Sequence, residues 1–136
     1  MKKWAIALIV VIPLVFIILF VSLMLSFNQS SIGNKIAVIP VNGVITTQGN
    51  GEALFMGKLG VSSTELVKQI GELNKDNSVK GVIIEIDSPG GTVVASQEIA
   101  DAIKKLNKPN YAVIREVGAS GGYWVASASD KIIASP

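Results

Sequence analysis

Histidine and cysteine are both absent from this chain of 136 residues. Without cysteine there is no disulfide, no thiolate metal site and no lipidated cysteine anchor. Without histidine, a metal ion would have to be held by carboxylates alone. The ten acidic residues form no ligand-spaced cluster, so no metal and no other cofactor is expected. The missing imidazole also removes the group that usually takes the proton from a nucleophilic serine. Aromatic residues are sparse (6%), and the twelve basic residues are scattered along the chain for a net charge of only +2. Nothing here resembles a nucleic-acid-binding patch, and no nucleic-acid partner is expected.

What the chain has in abundance is an apolar N-terminus. From residue 4 to 27 every side chain is apolar except Ser22 and Ser26, with Pro13 the one helix-unfriendly position. Twenty-four residues at about 1.5 Å each span roughly 36 Å, enough to cross a hydrocarbon layer of about 30 Å with some tilt. A buried core helix is the plainer alternative, but such helices rarely run so long without a charge. The run exceeds the core of a cleaved signal peptide and no A-x-A site follows it, which favours an uncleaved signal anchor. Lys2 and Lys3 precede the run, and the next positive residue is Lys35. The positive-inside rule then keeps the N-terminus in the cytoplasm and puts residues 28 onward outside. The expected organisation is a cytoplasmic start and transmembrane anchor over 1–27, a polar linker over 28–34, and one domain over 35–136 on the outer side of the cytoplasmic membrane. A domain there without disulfides depends on its core or on assembly.

Residues 35–46 are rich in Ile and Val but broken by Pro40 and Asn42-Gly43, reading as one bent strand or two short ones around a turn. Residues 47–60 read as a loop with an apolar tip at Leu54, Phe55 and Met56. Ser62-Ser63-Thr64-Glu65 opens a helix with a capping-box pattern, and Leu66, Ile70 and Leu73 mark its buried face. Residues 80–86 form a nearly continuous apolar run, the look of a strand covered on both faces. Residues 92–106 read as a second helix with Ala95, Ile99, Ala102, Ile103 and Leu106 inward. A strand over 111–115, a helix start over 120–127 and a strand over 131–134 follow. Alternation of strands and helices predicts an α/β fold with a parallel sheet.

Two glycine-rich turns stand at the ends of strands. In Asp87-Ser88-Pro89-Gly90-Gly91-Thr92, paired glycines let backbone N–H groups stand unobstructed ahead of a helix, the requirement of an oxyanion hole. The alternative is a plain strand–helix turn with glycines serving positive φ. A phosphate cradle is disfavoured, since no lysine and no full Gly-rich spacing follows. In Gly118-Ala119-Ser120-Gly121-Gly122-Tyr123-Trp124, Ser120 stands among residues with almost no side chain, as a nucleophile or as a helix N-cap allowing close packing. Two such turns on successive strands of a parallel sheet would be neighbours on one edge. With no imidazole, the base would be a lysine whose pKa is lowered by burial. None of the eleven lysines suits: Lys131 is nearest in sequence but begins a strand beyond a helix. Asp87 reads as a turn acid, and Glu116 and Asp130 as solvated turn residues.

The apolar N-terminus, the Ile86-Asp-Ser-Pro-Gly-Gly91 turn, the Ala119-Ser-Gly-Gly-Tyr-Trp124 segment and Ala128-Ser-Asp-Lys-Ile-Ile-Ala-Ser-Pro136 together resemble the signal peptide peptidase A family. These are Ser/Lys proteases related to the Clp protease and crotonase fold. The resemblance covers essentially the whole chain and implies a transmembrane helix followed by a partial Clp/crotonase-like fold of repeated ββα units. It implies that Ser120 is the nucleophile, acting on remnant signal peptides left in the membrane. Gly91, with Gly90 beside it, would supply oxyanion-hole amides, and Gly121 is a second candidate donor. It further implies an extended apolar peptide as substrate and a homo-oligomer when full length. Tyr123 and Trp124 are expected to anchor the helix after Ser120 in the core, with a substrate pocket as the alternative.

The family's base is a lysine several tens of residues beyond the nucleophile, and this sequence ends sixteen residues after Ser120. The expectation is therefore a fragment of a longer protein, carrying nucleophile and oxyanion turn but not the base, and inactive as it stands. A stomatin-operon-type Clp-like membrane protease and a non-catalytic, membrane-tethered binding or assembly module remain as alternatives. An acyl-CoA enzyme of the crotonase type is disfavoured by the outward topology.

Overall fold

A computed structural model describes residues 3–27, 33–49 and 60–135, with side chains of the first stretch described at 11–23. The chain divides into two compact units, Met1–Gly33 and Asn34–Pro136. Among the described residues the first holds one helix, α1 (Lys3–Phe27), with Pro13 inside it and no acidic residue in its first turn. Its described side chains are all exposed. Among the described residues no helix is long and apolar enough to cross a membrane, so the transmembrane span expected over 1–27 is not shown. The expected linker lies almost entirely outside the described residues, as does the apolar tip at Leu54, Phe55 and Met56.

The second unit runs β1 (Lys35–Thr46), β2 (Val61–Ser62), α2 (Ser63–Lys75), β3 (Val79–Gly91), α3 (Val93–Lys104), β4 (Asn110–Gly118), α4 (Gly121–Ser127) and β5 (Lys131–Ala134). The strands form one parallel sheet in the order β2-β1-β3-β4-β5. β1, β2 and α2 make one ββα unit; the two units that follow are each a single strand and a helix. The hesitation over 35–46 resolves to one strand. Asn42-Gly43 does not turn the chain; it makes a register shift against β3, with Gly43 at φ 78°.

Local signals placed the helices. Ser62 caps α2, its hydroxyl accepting the Glu65 N–H at 3.3 Å. At the other end of α2, the Lys108 ammonium donates to the carbonyls of Leu73 and Asp76, where a cation satisfies orphan acceptors and suits the dipole. Thr92 stands at the N-cap of α3. The helix-facing side of the sheet carries Ile39, Val41, Ile45, Val82, Ile84, Ile86 and Ala112, packed against Leu66, Ile70, Ala95, Ile99, Ile103 and Val125. Burial of each large aliphatic side chain contributes about 1.5–3 kcal/mol, so a one-residue slip of a strand would expose its whole contribution.

The reading of 80–86 as covered on both faces is corrected. Among the described residues of the second unit, helices bury one face only. On the other, Ile36 and Val38 of β1 are 59% and 52% exposed, and Ile133 of β5 is 55% exposed. The apolar run in β3 reads as continuous because Ile83 shares that second face with Glu85, which pairs with Arg115 at 2.7 Å. β3 is also longer than the apolar run, because Gly90 and Gly91 pair with Val44 and Ile45 of β1.

Candidate active site

β3 and β4 are adjacent and parallel, so their carboxyl ends, and the helices that follow, meet at one edge of the sheet. At the end of β4 the chain turns sharply through Ser120, at φ 49° and ψ −121°. Ser120 is the one non-glycine residue with positive φ among the described residues. Such a conformation costs about 1–3 kcal/mol and persists only where the surroundings over-determine it. Three hydrogen bonds do so here. The Ala119 N–H donates to the Ser88 carbonyl at 3.1 Å, the Gly122 N–H to Ala119 at 2.8 Å, and the Trp124 N–H to Ser120 at 3.0 Å. The result is a strained strand-to-helix turn that holds a serine side chain exposed, with no side-chain cap bond. That is the geometry of a nucleophile elbow.

The second turn lies directly against the first. A methyl group on Gly90, which has φ 101°, would stand 2.7 Å from the Gly121 nitrogen and 2.9 Å from Ser120 Cβ. One on Gly121 would overlap Ser96 Oγ and stand 3.2 Å from the Gly91 nitrogen. One on Gly91 would overlap the Ile45 backbone. The four residues expected to form the site, Ser120, Gly90, Gly91 and Gly121, therefore lie together, Gly90 against Ser120 and Gly121 and Gly121 against Gly91, with the glycines required by close approach. Their amides are not equivalent. Among the described residues no acceptor takes the Gly121 N–H. The Gly90 N–H is engaged, donating to Ser88 Oγ at 3.1 Å.

No base accompanies Ser120 among the described residues. Lys131 pairs with Tyr111 at the start of β4, whereas Ser120 follows its far end. Tyr111 and Gly118, the end of β4, are seven residues apart, roughly 23 Å of strand at about 3.3 Å per residue. Lys108 is held at the C-terminus of α2, and Lys104 lies in the last turn of α3, away from the helix start beside Gly91. Asp130 accepts the Asn110 N–H at 2.9 Å, and Glu116 is exposed. A cavity of about 570 Å³ between α2 and α3, lined by Val67, Gly71, Glu98 and Asp101 among others, includes none of the turn residues.

Two expectations change. Tyr123 and Trp124 do not anchor α4 in the core: they are 54% and 37% exposed, and α4 buries Gly121, Gly122, Val125 and Ala126 instead. Small residues do this because α4 approaches the sheet so closely that a methyl on Gly122 would stand 2.7 Å from the Ser88 carbonyl oxygen. Ser88 and Ser96 were not singled out, yet both are fully buried and both pack at the joint between the turns. A serine just ahead of Pro-Gly-Gly signals a side chain able to hydrogen-bond its own turn; nothing local marks Ser96.

Residues 102–136 match the model of Peptidase family S49. Over 113 residues the chain is 35% identical to a protein described as signal peptide peptidase SppA from Enterococcus faecium, covering 81% of this chain and 32% of that one. Over 107 residues it is 35% identical to Protease 4 of Haemophilus influenzae, covering 76% of this chain and 16% of that one. The chain thus spans about a third or less of the length of these relatives. A solved structure of a ClpP1 variant from Listeria monocytogenes superposes with a TM-score of 0.52 at 24% identity, covering 68% of this chain and 46% of that one, which shows a Clp-like fold. With its serine elbow set against a Ser-Pro-Gly-Gly turn, the chain is similar to the SppA-type peptidases of family S49.

Proposed function

We propose that this chain carries the nucleophile and oxyanion hole of a membrane-anchored serine endopeptidase that cleaves extended apolar peptides, remnant signal peptides among them. The observation that carries the reading is the strained exposed Ser120 beside the Gly121 N–H, which no acceptor among the described residues takes. In the reaction Ser120 Oγ bonds to the scissile carbonyl carbon, whose π electrons move onto its oxygen. The N–H groups of Gly121 and Gly91 stabilise that oxyanion. The Ser120 proton passes to a neutral lysine amine and then to the departing peptide amine, and water hydrolyses the acyl-enzyme. The lysine is assigned to a part of the protein outside these residues.

The rest of the assignment follows the sequence pattern. α1 anchors the chain in the cytoplasmic membrane with Lys2 and Lys3 inside and the second unit outside, and the full-length protein assembles as a homo-oligomer. Protease protection of the second unit in right-side-out and inverted vesicles tests that topology. For the chemistry, a fluorophosphonate probe applied to the full-length protein should label Ser120, and Ser120→Ala should abolish the label. Undiminished labelling of the Ala variant refutes the nucleophile. Peptide binding without labelling or turnover would instead indicate a non-catalytic binding module.

A further inference from the structure

The Ser88 side chain is fully buried and makes two hydrogen bonds in opposite senses. Its hydroxyl donates to the Gly43 carbonyl in β1 at 2.6 Å and accepts the Gly90 N–H at 3.1 Å, using one proton and one lone pair. Its backbone carbonyl accepts the Ala119 N–H at 3.1 Å, and Gly122 packs against that same oxygen. Ser88 thus touches three things: the β1 bulge, the glycine turn, and the residue before the nucleophile.

The strand registers explain why a side chain is needed. The β1–β3 ladder shifts between Asn42 and Val44, and the β3–β4 ladder shifts between Ile86 and Ser88. Regular ladder bonding is interrupted on both sides of β3 at this level, where the chain must also turn. The Ser88 hydroxyl takes up the Gly43 carbonyl that the bulge displaces. It also pins the N–H side of Gly90, whose φ of 101° sets the direction of the next peptide, the one carrying the Gly91 N–H. We propose that Ser88 is a positioning residue for the reaction: it locks the Gly90 peptide so that the Gly91 and Gly121 amides converge beside Ser120. Gly90 is then a latch and not an oxyanion donor. The inference rests on the peptidase reading above and extends it.

The test uses the full-length protein and Ser88→Ala, which deletes both bonds while leaving the carbonyl contact to Ala119. A misplacement approaching 1 Å at a reacting centre costs on the order of 100-fold. The expected loss is therefore about 10- to 100-fold in kcat and in the limiting rate of fluorophosphonate labelling, with KM within about threefold, the pattern of an interaction made only in the transition state. Ser88→Cys, a weaker donor and acceptor, should recover at least about threefold of the kcat lost. Amide hydrogen exchange over 88–92 should speed up in Ser88→Ala at a temperature where the far-UV spectrum and the unfolding transition show a folded protein. Three results overturn the inference: a kcat for Ser88→Ala within twofold of wild type, equal losses in the Ala and Cys variants, or unchanged exchange at Gly90. Failure of the underlying reading looks different, with wild-type protein unlabelled at Ser120, and it removes the inference as well.

Discussion

Replacing Gly90 by alanine asks the most of the two-turn joint. Gly90 sits at φ 101°, where an L residue carries a penalty of about 1–3 kcal/mol. The added methyl would stand 2.7 Å from the Gly121 nitrogen, 2.9 Å from Ser120 Cβ and 3.0 Å from the Ala119 oxygen. Two of those three atoms are backbone, so relief requires the turns to part, at about 1–3 kcal/mol by analogy with overpacked cores. The sum, about 2–6 kcal/mol, is a large share of the 5–15 kcal/mol that stabilises a typical domain. Gly71→Ala is the internal control. In exposed α2 its methyl meets nothing within 4 Å, and replacing a mid-helix glycine should stabilise by about 0.5–1 kcal/mol. Urea unfolding of both variants in the full-length protein, together with the fluorophosphonate labelling rate, reads the outcome. Gly90→Ala should lower the midpoint strongly and lose labelling even while folded, whereas Gly71→Ala should raise the midpoint and label normally. Equal shifts in both variants, or normal labelling by a folded Gly90→Ala protein, would refute the claim that the turns are in contact.

Ser120→Gly should relieve the backbone strain at φ 49°, raising stability by up to about 1–2 kcal/mol in thermal unfolding while abolishing labelling, because glycine adopts that conformation without steric cost. Ile99→Ala, which empties a fully buried core position, should cost about 2–5 kcal/mol in the same measurement. Asp76 accepts from the hydroxyl and the N–H of Ser78, both at 2.8 Å, and these bonds hold its carboxyl below the usual value of 3.8. A lowered folded-state pKa means its stabilisation is present above pH 3.8 and is lost as pH falls below that value through the folded pKa. Ser78→Ala should move the Asp76 titration upward in carboxyl NMR, and no change would discount the hydroxyl bond as the main cause. Arg115→Ala breaks an exposed ion pair with Glu85 and should change stability by no more than about 1 kcal/mol.

Much of the fold was legible because its signals are local. The Ser62 cap, the Leu66/Ile70 spacing of α2, the inward face of α3 and the strand at 131–134 each follow from residues within a few positions of one another. What the sequence left open or misread concerns partners distant in sequence. Around Asn42-Gly43 one bent strand and two short strands about a turn were equally compatible with the residues, and pairing with β3 decided for one continuous β1 with the glycine in a bulge. The apolar run in β3 looked doubly covered, but the placement of the helices left Ile36, Val38 and Ile133 exposed. Tyr123 and Trp124 looked like core anchors by hydrophobicity, yet α4 packs so tightly against Ser88 that only glycine, alanine and valine fit inward.

The candidate site divides in the same way. The amino-acid sequence alone determined which residues are available: one serine among small neighbours, a Pro-Gly-Gly turn after a strand, and no histidine, so that these 136 residues supply no imidazole base. Only the tertiary structure decided that the two turns touch, that Ser120 is held at positive φ, that no acceptor among the described residues takes the Gly121 N–H and that the Gly90 N–H belongs to Ser88. The physical reason is one of range. Chemical identity and local propensity are properties of a few adjacent residues, whereas the engagement of an amide depends on an acceptor delivered by strand pairing from elsewhere in the chain, as the 45-residue separation between Ser88 and Gly43 shows.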